Sequence, residues 1–488
     1  LVHPGAQLRL SFILTKNHTE IRELISKSAI SLYSVELDLE NFKAFKGVSF
    51  RELDVKRSQV AQKKPFVLAA DISRFFYTIY THSIAWAVLG KENVKGAILS
   101  ASSKKRKKHW TDELDQALQA CQSRETFGIP VGPDTSRVIA EILLCGVHSE
   151  AAFLSASKAS AGFRLVDDFF LGFDDEEQCK SALIALRNAL AIFNLQLNDD
   201  KTSIRPSKKV FTDRWRYELL RAPLKSGDQK TEALQMRRIA ELAYYHADKI
   251  GNAFPVKWLA TRMLHTNFNK RNFPLALRIL TRFGRDFPVC INLVATYIIN
   301  HKIQCLRRSQ NIEIIKSWIK SVFGAHSQNS NDFEVSWALV VCGALKIEIS
   351  KADFGDYKNS MSSVAFALLG LLNEKKLLRD PLSKFEWRGQ VKNSGLDSHH
   401  WLMFYESVLR KWTNDPAMVA AVKSHSLFGD LLKKKISFLD DSVFGDVQIN
   451  LSRRRLRRMP PKEVAFASSD DADAVEFDES DSFGLGSI

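Results

Sequence analysis

Two adjacent carboxylates, Asp167-Asp168, lie between the largely apolar runs Phe163–Val166 and Phe169–Phe173. Short apolar runs around a turn-prone acidic pair read as strand, turn, strand. Asp is depleted in strands and is rarely buried without a partner. A hairpin tip with two of them is therefore either an ordinary solvated turn or a place where a cation sits. The pair alone does not separate the two.

Three other segments bear on the choice. The apolar run Phe66-Val67-Leu68-Ala69-Ala70 leads straight into Asp71, and Phe75-Phe76 follow at once. Gly128-Ile129-Pro130-Val131-Gly132-Pro133 is a rigid loop, running through Asp134–Arg137 onto the apolar helix Val138–Leu144. Leu195-Gln196-Leu197-Asn198-Asp199-Asp200-Lys201-Thr202 follows the acidic pair. In-line nucleotidyl transfer uses two divalent cations roughly 3.5–4 Å apart, one at the attacking oxygen and one on the leaving side. Carboxylates on neighbouring strands can bridge them, and hard Mg²⁺ prefers oxygen ligands.

The order strand-Asp-aromatic, Gly/Pro loop-helix, hairpin Asp-Asp and Lys turn resembles motifs A to D of a reverse transcriptase palm. Ile79–Trp86, the string GIPVGPDTSR at Gly128–Arg137, and His3-Pro4 with Gln7-Leu8 are similar to the bacterial abortive-infection (Abi) and defence-associated "unknown group" reverse transcriptases. The resemblance covers about residues 1–222. It departs at Leu165, where most members have Tyr or Phe near the primer end, and at Tyr77-Thr78, where a small residue or Pro is usual.

The resemblance implies an α+β chain: right-hand polymerase fingers over 1–65, a reverse transcriptase palm over 66–222, and an all-α domain over 223–450 in place of a thumb. It implies two Mg²⁺ ions, with Mn²⁺ as a substitute, held by Asp71, Ile72, Asp167 and Asp168. Lys201 would protonate the leaving pyrophosphate. Phe76, Ile72, Gly132, Lys43 and Lys46 would contact the nucleotide, and Phe76 would exclude a 2′ hydroxyl. The activity would be DNA synthesis from dNTPs in anti-phage defence, on an RNA template or untemplated and protein-primed. Partners would be RNA or DNA, a noncoding RNA among them, and a second defence protein, with a homo-oligomer allowed. Tyr33, in a Ser-rich stretch, is the candidate primer hydroxyl; half-buried packing is the plainer reading of it. The rival reading of the whole chain is a catalytically inert RNA-binding scaffold on a polymerase fold.

Charge and composition set further bounds. A net charge of +15 and a pI near 9.4 suit a polyanionic partner. Six cysteines without zinc-type spacing suggest buried thiols in a reducing compartment. No run approaches the roughly 18 apolar residues of a membrane span, so Val335–Leu345 and Val364–Leu372 read as buried helices and the expected location is cytoplasmic. No signal peptide is expected, and because the chain starts at Leu1 rather than Met, residues before it are expected to be missing.

Ile13–Ser28 is amphipathic. Beyond the palm, Ile239, Leu242, Ala243, His246 and Ile250 share one helical face, as do Ile315, Trp318, Ile319 and Val322. His246 reads as a satisfied core histidine. Asn272-Phe273-Pro274 signals a helix start and Phe283-Gly284 a stop; Gly324 also follows a periodic segment. The array is either HEAT-like or an ordinary bundle. Lys104–Lys108 is either a grip on phosphates or a solvated loop. Residues 451–488 combine the basic run Arg453–Arg458 with a tail, Ser468–Ile488, of seven acids and no Lys or Arg. Disorder is expected there, and the tail either solubilises the chain or competes with nucleic acid.

Overall fold

A computed structural model of the chain describes residues 2–32, 48, 50–99, 109–122, 124–158, 160–209, 214–224, 228–327, 329, 331–353, 362–380, 395–444, 447–450 and 455–458. They form two compact units, within Leu1–Thr212 and Asp213–Val475. The fold is mixed α+β and mostly helical. Tyr33, Lys43, Lys46, the Lys104–Lys108 run and the acidic tail lie outside the described residues.

The first unit opens with helices α1 (Pro4–Lys16), α2 (His18–Ser26) and α3 (Phe50–Lys63), then strand β1 (Phe66–Asp71). Next come α4 (Phe75–Thr78), α5 (Ser83–Leu89), α6 (Lys91–Leu99), α7 (Trp110–Ala120), α8 (Asp134–Ser149) and α9 (Ala151–Lys158). The hairpin β2 (Ala161–Leu165) and β3 (Asp168–Phe173), helix α10 (Glu176–Ile192) and β4 (Ser203–Pro206) complete it. The amphipathic stretch Ile13–Ser28 is two helices, not one. Asn17 closes α1: its backbone N–H makes the last helical bond, to the Ile13 carbonyl at 3.2 Å, its side-chain Nδ2 donates to the same oxygen at 2.8 Å, and its backbone leaves the helical conformation.

The four strands are antiparallel in the order β2-β3-β1-β4. Alternation along each strand sends side chains to opposite faces. Leu68, Ala70, Phe169, Leu171 and Phe173 join α8 and α10 in the large core, while Val67, Phe163 and Phe170 meet Leu53 and Val60 of α3 on the other face. Both faces of β1 are thus covered, which is why its sequence is one continuous apolar run.

The second unit contains α11 (Arg214–Arg221), α12 (Gln229–Ile250), α13 (Phe254–Leu264), α14 (Phe273–Asp286), α15 (Ile291–Asn300), α16 (Lys302–Leu306), α17 (Ser309–His326), α18 (Asp332–Leu345) and α19 (Ser363–Glu374). Helices Trp401–Leu409, Pro416–Ser424 and Ser426–Lys433 follow, then a hairpin of β5 (Val447–Asn450) and β6 (Arg455–Arg458). One apolar core runs from Leu219 to Phe444. Helix α11 packs on α12 and α13, although the sequence reading put residues to 222 with the palm. Helix α14 packs on α15 and α17, and α18 packs on α15, α17 and α19.

Ile239, Ala243 and His246 are buried and Leu242 half-buried, while Ile250, at the helix end, is exposed. His246 Nε2 lies 2.9 Å from a Glu218 carboxylate oxygen, a satisfied core histidine. Ile315, Trp318, Ile319 and Val322 are all buried. Helix α14 starts after Asn272 as expected, although the Asn272 side chain bonds Glu232 and the Gln229 carbonyl rather than capping it, and the helix continues past Gly284 to Asp286. A side chain at Gly284 would stand 2.9 Å from Trp318 Nε1, so this glycine serves close packing of α14 and α17 rather than a stop. Gly324 likewise lies inside α17.

All six cysteines are free and five are buried. Among the described residues no single helix is long and apolar enough to cross a membrane; α8 and α9 reach that length only as a pair bent by 86°.

Candidate active site

Strand β1 ends at Asp71 and β3 begins at Asp168, and the antiparallel register sets these two residues directly opposite each other. Leu165 pairs with Asp168 across the hairpin, so the turn consists of Val166 and Asp167 alone. The acidic pair is thereby split: Asp168 is the first residue of a strand, and Asp167 stays in the turn. Val166 takes a left-handed φ of 50°. A β-branched residue rarely does so, at a cost of order 1–3 kcal/mol, and such outliers concentrate at functional sites. Arg74, three residues after Asp71, is also left-handed, at 47°.

The fourth group arrives through the backbone. Asn198 N–H donates to the Asp71 carbonyl at 2.8 Å and Ser73 N–H to the Gln196 carbonyl at 2.8 Å, with Ile72 bridged to Leu197 between them. The turn Asn198–Lys201 is closed by Lys201 N–H on the Asn198 carbonyl. Lys201 Nζ then donates to Asp71 Oδ1 at 3.4 Å. Asp71, Asp167, Asp168 and Lys201 are thus gathered, and Ile72 is buried behind them.

The carboxylates oppose one another. Burial, and after it the Asp71 charge, pushes Asp167 up to about 7. Asp168 is also pushed up, by burial first, then by Asp167 and Asp71, with which it shares a hydrogen bond. Lys201 and other favourable contacts offset this only in part. Burial and mutual repulsion thus favour the protonated forms of Asp167 and Asp168, in the manner of crowded carboxylates elsewhere. A divalent cation would replace those protons.

Among the described residues no three His, Cys, Asp or Glu side chains are already converged as a metal-ligand set. The donors nonetheless suit a hard cation in kind, because all are carboxylate oxygens that repel one another without one. Seating a cation requires the protons to leave and Lys201 to give up its place against Asp71.

The Gly/Pro loop is tied to the same segment. Ile129 N–H donates to the Phe76 carbonyl and Gly128 N–H to the Ile79 carbonyl, both at 2.8 Å. Gly132 has a φ of 110° and open space where a side chain would stand. Pro133 caps α8. The Phe76 ring is half-buried and meets Phe75 edge-on.

Two residues that sequence reasoning passed over lie beneath the hairpin. Arg164 of β2 and Glu141 of α8 are both buried and form a fork-to-fork pair at 2.8 and 2.9 Å. The signal was available: one cation in the strand Ala161–Leu165 and one anion in the apolar body of α8, where lone charges are rare. No family model matches the chain, and no curated protein matches it.

Proposed function

We propose that the chain is a divalent-metal-dependent nucleotidyltransferase of reverse transcriptase type. The observation that carries this reading is the register that sets Asp71 opposite Asp168, with Asp167 in a strained two-residue turn and Lys201 alongside. The four-stranded antiparallel sheet with helices on both faces is compatible with a polymerase palm. The pairwise stacking of α14–α15 on α17–α18 favours a HEAT-like array for the second unit.

In this reading Asp71 and Asp168 are the principal metal ligands, Asp167 assists and Ile72 contributes from the strand end. Bound divalent cations would supply activation of the attacking hydroxyl and charge neutralisation on the leaving pyrophosphate. Lys201 holds a proton within reach of Asp71 and delivers it to the pyrophosphate oxygen. Phe76 sits five residues after Asp71, where its ring excludes a 2′ hydroxyl and selects dNTPs. Gly132 and its prolines support the template or the nucleotide base. The net charge of +15 favours RNA or DNA as the partner, and anti-phage defence in the cytoplasm is the setting the family resemblance suggests.

The test is incorporation of labelled dNTPs by the purified chain with Mg²⁺ or Mn²⁺, on primed RNA, on primed DNA and without template. Product that depends on metal and disappears in Asp168→Asn supports the proposal; equal incorporation by a folded Asp168→Asn protein removes it. Product that migrates with protein until proteolysis identifies self-priming, and Tyr33→Phe then decides whether Tyr33 is the primer. The inert RNA-binding scaffold is the second reading. The contact between Lys201 and Asp71 favours it, since an ammonium there does what a metal would otherwise do. It predicts RNA binding without incorporation under any metal.

A further inference from the structure

Arg164 is completely buried. Its Nη1 and Nη2 donate to Glu141 Oε1 and Oε2 at 2.8 and 2.9 Å, and Nη1 also donates to the Val166 carbonyl at 2.9 Å. Ser31 Oγ donates to Glu141 Oε2 at 2.9 Å. The Arg164 backbone is bracketed as well, its N–H on the Ile30 carbonyl and its own carbonyl receiving Leu32 N–H. Residues 30–32 and Glu141 of α8 therefore fix Arg164 of β2 on both its backbone and its side chain, and among these Arg164 alone bonds the Val166 carbonyl in the turn that carries Asp167.

Folding stability gives little reason for such a pair. Burying two ions costs about as much as their attraction returns, and apolar side chains of similar size often do as well. What an apolar pair cannot do is hold the Val166 carbonyl. Val166 is the strained residue, and its peptide plane sets where Asp167 leaves the backbone and where β3 begins at Asp168. With two of the five guanidinium N–H groups fixed by the carboxylate, the second Nη1 N–H is aimed at the Val166 carbonyl, while the buried Nε N–H has no hydrogen-bond partner among the described residues.

We propose that Arg164 is a positioning residue: Glu141 aims its guanidinium, the guanidinium holds the Val166 carbonyl, and the held turn sets Asp167 and Asp168 as metal ligands. The inference rests on the metal-dependent reading above. It makes the junction of α8 and the hairpin a determinant of metal affinity, although neither Arg164 nor Glu141 touches metal or substrate.

Two variants test it. Arg164→Lys keeps the charge but loses the fork, and Glu141→Leu/Arg164→Met replaces the pair by apolar side chains. Three quantities are read: metal-free hydrogen exchange of the Leu165–Phe169 amides, Mn²⁺ affinity, and dNTP incorporation resolved into kcat and KM. We expect exchange at the turn to rise at least about tenfold while the rest of β3 stays protected. Mn²⁺ affinity should fall roughly 10–100-fold, the usual effect of losing an outer partner of a metal ligand. The loss in incorporation should appear in kcat, with KM for dNTP little changed.

Unchanged turn exchange in either folded variant overturns the proposal, as does faster exchange with unchanged Mn²⁺ affinity. Where Arg164→Lys does not fold, the double variant decides. Exchange raised evenly through the unit in both would make the pair merely structural and equally overturn it. A wild-type protein that binds Mn²⁺ no better than Asp168→Asn defeats the functional reading instead, and the turn exchange then still judges whether Arg164 holds the turn.

Discussion

Glu406, in the helical unit, is fully buried, and donors surround it: Arg410 Nε at 3.0 Å, Ser437 Oγ at 3.0 Å and the Phe438 N–H at 2.7 Å. Glu232, buried in the same unit, receives the Asn269 N–H at 3.0 Å and Asn272 Nδ2 at 2.8 Å. Asp71, in the sheet unit, is buried almost as deeply but faces two more carboxyls, with one lysine contact at 3.4 Å. Burial is common to all three residues. The balance of donors separates them. A carboxylate with its lone pairs filled ties chain segments together, and its surroundings are complete. Carboxylates that crowd one another across a strand pair form a site whose balance calls for something from outside.

The largest expected effect that distinguishes the two kinds is on activity. Asp168→Asn should lower incorporation by roughly a thousandfold or more, since metal charge stabilisation amounts to several kcal/mol. Above about pH 8, where Asp168 would ionise beside Asp71 and Asp167, the same change removes a like-charge contact, so there the metal-free variant should melt above wild type. A fall in melting temperature would mean that Asp168 is as structural as Glu406, and the comparison would break. Glu406→Ala should do the reverse. It leaves Arg410 without its buried partner and should destabilise the helical unit by roughly 3–5 kcal/mol, read as a lower denaturant midpoint, with incorporation per folded molecule unchanged.

Phe76→Ala comes next. Enlarging the space beside the sugar should raise the use of NTPs relative to dNTPs by roughly tenfold to a hundredfold, the usual reach of steric discrimination against one hydroxyl. An unmoved ratio in competition assays would place selection elsewhere.

The smallest effect is the dependence on pH. Asp167 sits near 7 in the fold against 3.8 ordinarily. A carboxyl raised on folding contributes stability that is complete below about 3.8 and is lost as pH rises through about 7. The metal-free protein should therefore lose more melting temperature between pH 6 and pH 8 than Asp167→Asn does, and Mn²⁺ should close the gap. Mn²⁺ affinity should be at least about tenfold weaker at pH 6 than at pH 8, because the protons on Asp167 and Asp168 must leave first. Equal affinity at both pH values would mean that the cluster binds no metal through Asp167.

Much of this could be read along the chain. The apolar run into Asp71, the acidic hairpin and the 3.6-residue faces of α12 and α17 are local patterns, and local alternation decides which side of a strand or helix is buried. His246 was legible as a core residue for the same reason. The amphipathic stretch Ile13–Ser28 was legible only as a face. Its break at Asn17 depends on one side chain choosing a backbone carbonyl over solvent. Gly284 looked like a stop because glycine ends helices more often than it packs inside them, and only the approach of Trp318 shows otherwise.

The candidate site divides in the same way. Sequence alone determined that Asp71 ends a strand, that Asp167-Asp168 lies at a hairpin, and that a lysine turn comes after them; the splitting of the pair between turn and strand came from the pairing register. Tertiary structure decided that Asp71 lies opposite Asp168, that Lys201 reaches them through the bridge at Ile72, and that Arg164 and Glu141 meet beneath the turn. Those pairings join residues far apart along the chain. Strand register and the docking of α8 set them, and both are settled by which apolar faces close over the sheet, a contest among distant segments that no local pattern encodes.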